Sequence, residues 1–311
     1  MITGAVDIGG TKIAVGAIDG AGRLLAREET PTAAARGFDD AMERVTAMLE
    51  RMRGQIDGPM RGVGIGCTGP VDPFHGTIGD VDFLPGWKGA NPVATLAARL
   101  RLQVAMENDA DAAALAEAAW GAGRGRKTLI GVTVGTGIGA GILLNGVIYR
   151  GVDGAHPEIG HHVIDDTGPA CSCGARGCWE ALASGPAIAA HYARAAAAAG
   201  SPRADLSTQQ ICALAREGDA LALQEVARAG RYLGIGIANL ITLYVPELIV
   251  LSGSVMNSLE LFLPTIREVI RRQCALVPAE RVELIPSSLR GDAPLIGAAV
   301  VWAHRYAGER G

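Results

Sequence analysis

A strand, a tight glycine–threonine turn and a second strand occur twice in this chain, and that repetition constrains the fold more than any other feature. Ala5 to Ile13 is echoed by Ile130-Gly131-Val132-Thr133-Val134-Gly135-Thr136-Gly137-Ile138-Gly139. At one constant offset Val6 meets Val132, Gly9 meets Gly135, Asp19 meets Asn145 and Gly20 meets Gly146. Two copies of one strand–turn–strand unit point to a duplicated α/β lobe. With 311 residues the chain can bury a sizeable core and should form two domains, or one large domain with two lobes.

The pattern predicts strands at 3–7, 12–19 and 24–27, with Asp19-Gly20-Ala21-Gly22 as a hairpin turn. Phe38 to Arg53 has helical periodicity, with Met42, Val45, Met48 and Leu49 on one face. A strand at 62–66 runs into Cys67-Thr68-Gly69-Pro70. The stretch that follows, to about Asn91, is too polar and broken for regular structure. Helices are expected at 92–100 and 109–121, with a strand at 103–106 between them. Further helices are expected at 186–199, 207–216, 220–242, 259–274 and 295–306, with strands at 247–251 and 282–285. Such alternation calls for mostly parallel sheet covered on both faces. No interdomain linker stands out. The expected division is a small lobe at 1–118, joined by the C-terminal helix at about 295–311, and a large lobe at 119–294 that holds a metal-type loop at 158–180.

Charge excludes several function classes. A net charge of −4 offers no basic field to nucleic acid or an anionic membrane. No apolar run approaches the roughly 20 residues of a membrane helix, and no signal-peptide pattern opens the chain. Three of the six cysteines lie close together, unlike a spread secretory framework, so a reducing cytoplasm fits best.

Asp7-Ile8-Gly9-Gly10-Thr11-Lys12 falls at a turn between two strands. Glycines there let backbone N–H groups approach phosphate oxygens, Thr11 adds a hydroxyl, and Lys12 adds a positive charge. Asp7 could hold Mg²⁺ directly or through water. Gly135-Thr136-Gly137 supplies a second phosphate-facing turn, so the pair could grip a nucleotide from both sides. Asn108-Asp109 stands where a strand meets a helix. Capping is the common role for Asp there. The helix dipole keeps such a carboxylate ionised, which suits the base of a phosphoryl transfer, where the acceptor proton leaves late.

His161, Cys171, Cys173 and Cys178 offer one imidazole and three thiols within eighteen residues, a set suited to closed, tetrahedral, structural zinc. On spacing alone His162 could be the ligand instead, because in an extended segment the two imidazoles point opposite ways. Glu158 and Glu180 flank the loop. Carboxylates and an imidazole match a ring of sugar hydroxyls, each of which donates and accepts.

Taken together, Asp-x-Gly-Gly-Thr-Lys, Glu-Asn-Asp-Ala, Gly-Thr-Gly-x-Gly, Glu-x-Gly-His and Cys-x-Cys-Gly-x-x-Gly-Cys-x-Glu resemble the ROK family of bacterial sugar kinases and related repressors, from Val6 to about Ala299. The resemblance implies an actin/hexokinase-like (ribonuclease H-like) α/β fold with two domains around a cleft, and transfer of the ATP γ-phosphoryl to a hexose hydroxyl, usually on C6. It implies Asp109 as catalytic base; Gly69, Asn108, Glu158, His161 and Glu180 as sugar contacts; and Asp7, Gly10, Thr11, Lys12, Thr136, Gly137 and Gly253 on Mg-ATP. It also selects His161 over His162 as the zinc ligand beside Cys171, Cys173 and Cys178, and suggests a homodimer.

Three departures matter. Ser252-Gly253-Ser254 stands for the family's Gly-Gly-Gly turn beside the adenosine. Pro294 replaces a Gly before the last helix. His156-Pro157 replaces Ala-Gly ahead of Glu158, a fructokinase-like feature. The glucokinase-like branch is the leading expectation. Fructokinase, N-acetylmannosamine kinase and N-acetylglucosamine kinase are the neighbouring ones, distinguished at C1 and C2 of the sugar by the loop from Thr68 to Trp87. A sugar-responsive repressor would need a DNA-binding extension ahead of Asp7, and polyphosphate is an alternative donor.

Overall fold

The computed structural model describes residues 1–200 and 205–306. In chain order the elements are β1 (Ile2–Ile8), β2 (Lys12–Asp19), β3 (Leu24–Pro31), α1 (Phe38–Arg53), β4 (Met60–Cys67), β5 (Val71–Asp72), β6 (Thr77–Ile78), α2 (Pro92–Leu100), β7 (Gln103–Asn108) and α3 (Asp109–Ala119). There follow β8 (Leu129–Val134), β9 (Ile138–Leu144), β10 (Val147–Ile148), α4 (Trp179–Ala183), α5 (Gly185–Ala198), α6 (Thr208–Arg216) and α7 (Ala220–Tyr244). The last are β11 (Leu248–Ser252), α8 (Leu259–Gln273), β12 (Glu283–Pro286) and α9 (Ala293–Tyr306). Residues 307–311 of the expected C-terminal helix lie outside the described residues.

The first sheet runs β3-β2-β1-β4-β7 and the second β10-β9-β8-β11-β12. The two orders match strand for strand, as a duplicated lobe requires. The first sheet is evenly mixed and not mostly parallel: β1–β2 and β2–β3 are antiparallel, β1–β4 and β4–β7 parallel. The short turns after Ile8 and Asp19 dictate this, because a parallel neighbour needs a crossover of a dozen or more residues. In the parallel half Ile8 pairs with Cys67 and Cys67 with Asn108, so three strands end level at one edge. Ligands in α/β sheets bind beyond such carboxyl ends.

Contacts divide the chain into one unit of Met1–Gly131, Gly141–Pro157 and the chain from Ser287 on, and another of Val132–Ala140 with Glu158–Pro286. In the first unit α1 buries Met42, Val45, Met48 and Leu49, the face its periodicity marks, and each such side chain contributes roughly 1.5–3 kcal/mol. The stretch after Cys67 holds more order than its composition suggests. β5 and β6 form a small hairpin, Val71 opposite Ile78, and the Asp72 carboxylate accepts from the amides of Phe74 and His75 to shape its turn. Val81, Leu84 and Trp87 then plug the segment into the core, with Trp87 edge-on to Phe38 at 5.4 Å. In the second unit α7 runs past Trp179, and a side chain at Gly236 would occupy the space of the buried indole. Among the described residues no helix is long and apolar enough to cross a membrane.

Candidate active site

The first unit gathers its candidate groups at the level ends of β1, β4 and β7. Asp7 lies on β1, two residues before the glycine turn. Gly9 N–H closes that turn on the Lys12 carbonyl at 3.0 Å, and the buried Thr32 braces it, donating its hydroxyl to Gly9 O at 2.5 Å and its amide to Thr11 O at 2.9 Å. Gly10 has no room for a side chain, since a Cβ there would stand 2.6 Å from that of Phe83. Thr11 and Lys12 are exposed, and the Lys12 ammonium pairs with Glu29 at 2.6 Å. Burial pushes the Asp7 carboxyl up to about 7, the negative charge of Asp109 adds to that push, and Lys12 opposes it. Cys67, at the end of β4, is raised well above the usual thiol range by burial and then by Asp109 and Asp7. Two carboxylates and a thiol thus share one small volume.

The cap of α3 is Asn108, not Asp109. Its side-chain oxygen accepts from Ala110 N at 2.8 Å and Asp111 N at 3.4 Å, and its amide donates to Gly69 O at 3.3 Å. Capping by Asn108 meets the helix's need for an N-terminal acceptor. Asp109, half-buried, is the first residue of the helix proper. Gly69 takes φ +82°, the left-handed region, to receive the Asn108 amide.

The second unit gathers the rest. Gly135 N–H donates to Gly137 O at 2.9 Å, and Gly135 O accepts from Gly185 N at 2.8 Å. Glu180, on α4, accepts the Ile138 amide at 2.9 Å through Oε2, and a Cβ on Gly137 would stand 2.5 Å from that oxygen. Its Oε1 lies 3.9 Å from His161 Nε2. One carboxylate thus joins the glycine turn to the metal-type loop. Glu158 is exposed, just ahead of a short 3-10 turn at Ile159–His161.

That 3-10 turn, where an extended run was expected, separates the two histidines. His161 Nδ1 lies 3.4 Å from Cys171 Sγ, Cys173 Sγ lies 3.6 Å from Cys178 Sγ, and the four donor atoms fall within 4.8 Å of one another. Donors on a tetrahedral zinc stand roughly 3.3–3.8 Å apart, so the geometry fits a metal. His162 is engaged elsewhere: its Nδ1 meets Ile159 O at 2.5 Å and its Nε2 meets Asn239 at 3.2 Å. The Ala175 amide and neighbouring thiols pull Cys173 down to about 7, while burial pushes Cys178 up to about 12. A bound metal would hold its cysteine ligands as thiolates.

Gly135 and Thr136 also line a cleft of about 250 Å³ with Gly185, Ser207, Thr208 and Ser254. It opens at the N-termini of α5 and α6, capped by Ser184 and Ser207, and helix N-termini favour anions. A wider groove of about 520 Å³ beside Asp165, Arg231 and Tyr232 holds none of the motif residues. Gly253, at φ +94°, packs beneath Val134 next to this cleft. Sequence reasoning missed Thr32, Phe83, Gly185, Ser207 and Thr208. Ser-Gly-Pro and Ser-Thr-Gln-Gln do signal helix starts, but nothing in them says that two starts share a cleft.

The sequence profile of the ROK family matches residues 3–305. The chain belongs to the ROK family. This ROK chain is 32% identical to the glucokinase of Thermotoga maritima, over 97% of its own length and 98% of that protein's. A ROK hexokinase from Thermus thermophilus superimposes with a TM-score of 0.85 at 35% identity, covering 99% of this chain and 100% of the other. A ROK glucokinase from Streptomyces griseus, solved with glucose and AMPPNP, gives 0.84 at 32% identity, covering 96% and 98%. The fold is the two-lobed actin/hexokinase-like one of these kinases.

Proposed function

We propose that this protein is an ATP-dependent hexose kinase of the glucokinase type, passing the γ-phosphoryl of ATP to the C6 hydroxyl of the sugar. The observation that carries the reading is the division of labour at the start of α3. Asn108 caps the helix, and the neighbouring Asp109 carboxylate lies at the carboxyl ends of the parallel strands, beside a second, hard-to-ionise acid. The family and its glucose- and AMPPNP-bound relative support the same assignment.

In this reading Asp109 orients the sugar hydroxyl and accepts its proton late in the transfer, so positioning matters more than basicity. Asn108, Gly69, Glu158, His161 and Glu180 hold the ring hydroxyls. The amides around Gly10 and Thr11 and those around Thr136 and Gly137 donate to phosphate oxygens, and the α5–α6 cleft beside Gly253 takes the nucleoside. Asp7 is suited to hold Mg²⁺ through water, and Lys12 exchanges Glu29 for a phosphate. Bound Mg²⁺ would neutralise charge on the transferring phosphoryl group. His161, Cys171, Cys173 and Cys178 would hold structural zinc, which keeps His161 Nε2 and Glu180 facing the sugar. Two copies would form a homodimer.

A coupled ADP-release screen with glucose, fructose, mannose, N-acetylglucosamine and N-acetylmannosamine tests the reading. Glucose should give the highest kcat/KM. Preference for fructose or an N-acetylhexosamine would move the protein to those branches. No ADP from any sugar, with ATP or polyphosphate, would sink the kinase assignment.

A further inference from the structure

Asp111 and His156 form a buried couple that no part of the proposed reaction uses. Asp111 stands two residues after Asp109 on α3, and its side chain is 1% exposed. Its Oδ2 accepts from His156 Nδ1 at 2.8 Å, and its Oδ1 is buried with no hydrogen-bond partner. The His156 side chain is itself only 6% exposed. Burial holds the Asp111 carboxyl above its ordinary value, and His156 pulls it back only in part. Capping does not explain this acid, since Asn108 already serves the helix terminus. Nor does stability, because a buried ionic pair adds little that a well-packed apolar pair would not. What such a pair does supply is a defined geometry.

The chain around the couple shows what is being held. On the far side of His156 come Pro157, whose ring fixes φ and restricts the residue before it, then Glu158 and the 3-10 turn that ends at His161. Upstream, the 151–155 loop is closed on itself by Gly151 N–H to Ala155 O at 2.8 Å and Ala155 N–H to Val152 O at 3.0 Å. The first turn of α3 is meanwhile seated against glycines: a Cβ at Gly141 would meet Ala110 O at 2.6 Å and Asp111 Cα at 2.8 Å. A loop closed by its own hydrogen bonds, the His156–Asp111 hydrogen bond to α3 and a proline therefore lead straight into Glu158.

We propose that Asp111 and His156 are positioning residues: they hold the 151–157 segment on the helix that carries Asp109, and so fix the backbone from which Glu158, the acid that reads the sugar hydroxyls, follows directly. The inference rests on the kinase reading. In kinetic terms the couple acts on the sugar side alone. His156→Ala should raise the sugar KM about tenfold, the usual scale for losing a supporting partner, with the ATP KM changed less than about twofold. His156→Asn puts an amide N–H where Nδ1 was and should recover most of that loss. Asp111→Asn keeps an acceptor for the imidazole and should lose less than His156→Ala.

Kinetics are read on the full-length chain together with amide hydrogen exchange on the same variants. His156→Ala should speed exchange at Glu158–His161 and leave β4 unchanged, and His156→Asn should restore protection. Equal rises in both KM values, no rescue by His156→Asn, or unchanged exchange at Glu158–His161 would each overturn the couple. A wild-type chain that releases no ADP with any hexose overturns the kinase reading instead, and the exchange measurement still decides the couple.

Discussion

The two glycine turns share a backbone and differ in what surrounds them. At Gly9–Thr11 the neighbours are charged: burial lifts the Asp7 carboxyl to about 7, the negative charges of Asp109 and Glu29 add to that push, and Lys12 opposes it. At Gly135–Gly137 the turn itself carries no titratable group, the neighbouring Glu180 accepts a backbone amide, and a cleft lined by uncharged groups such as Ser207, Thr208 and Ser254 opens beside it. Duplication kept the device that presents N–H groups and let the side chains diverge. In the proposed kinase the first copy would face the charge of the transferring phosphoryl group, and the second would hold the nucleotide beside its cleft. The largest test removes the charge. Asp109→Asn should cut kcat by about a thousandfold, move the sugar KM less than about threefold, and lower the Asp7 pKa, since Asp109 is one of the groups that raise it. Ordinary turnover in that variant would end the assignment of Asp109 as base.

A second test probes what holds the quieter turn. Glu180 Oε2 supports Ile138 N–H, and its Oε1 faces the imidazole of the metal-type loop. Cys171→Ser, Cys173→Ser or removal of zinc with a chelator should therefore raise both the sugar and the ATP KM, by about ten- to a hundredfold, and lower Tm. Elemental analysis should find one zinc per chain. A zinc-free protein with full activity would detach the cysteines from the site.

Much of this was legible in the residues, and the exceptions share a cause. Element types and most boundaries followed from apolar periodicity and turn chemistry, which are local. The proportion of antiparallel pairing was misjudged because alternation of strands and helices was weighed above the short turns after Ile8 and Asp19. Three cysteines with a neighbouring histidine were readable as a cluster because soft ligands at short spacing have few other uses. Spacing left His161 and His162 open, and only the family resemblance chose His161, the one whose donor atom lies with the three sulfurs. Capping was weighed for Asp109 and the structure gives it to Asn108: both are good caps, and only the backbone decides between them. Thr32, Phe83 and the Asp111–His156 couple reach their partners across 23, 73 and 45 residues respectively, and no pattern along one chain reports a meeting of that kind.

A third test compares the turns by adding one methyl group. Gly137→Ala forces Glu180 to move, since the new Cβ would stand 2.5 Å from Oε2, whereas Gly135→Ala meets Ser254 Oγ at a comfortable 3.6 Å. Gly137→Ala should cost about 0.5–1.5 kcal/mol, since the Glu180 carboxylate can swing aside only by giving up the Ile138 amide, and should raise the sugar KM through Glu180. Gly135→Ala should leave the sugar KM alone. Equal effects would mean that Glu180 does not join the turn to the sugar.

The last test is the pH dependence that sets the charged turn apart. Asp7 has an ordinary value of 3.8 and a folded value of about 7. The folded chain therefore keeps this proton more tightly than the unfolded one. Below about pH 4 both states are protonated and the contribution of the group is fully present. Between about 4 and 7 the unfolded state loses the proton first, so stability falls with rising pH by up to about 1.4 kcal/mol per unit. Above about 7 the loss is complete. Asp7→Asn removes this slope, so the Tm of the wild type relative to the variant should decline from pH 4 to pH 7 and then level off. Catalysis runs the opposite way, because Mg²⁺ needs the carboxylate. The wild-type kcat/KM for Mg-ATP should rise up to about pH 7, while the residual activity of Asp7→Asn should be flat over that range. A wild-type–variant Tm difference that does not change with pH would show that Asp7 is ionised throughout, and the two turns would then differ less in charge than their neighbours suggest.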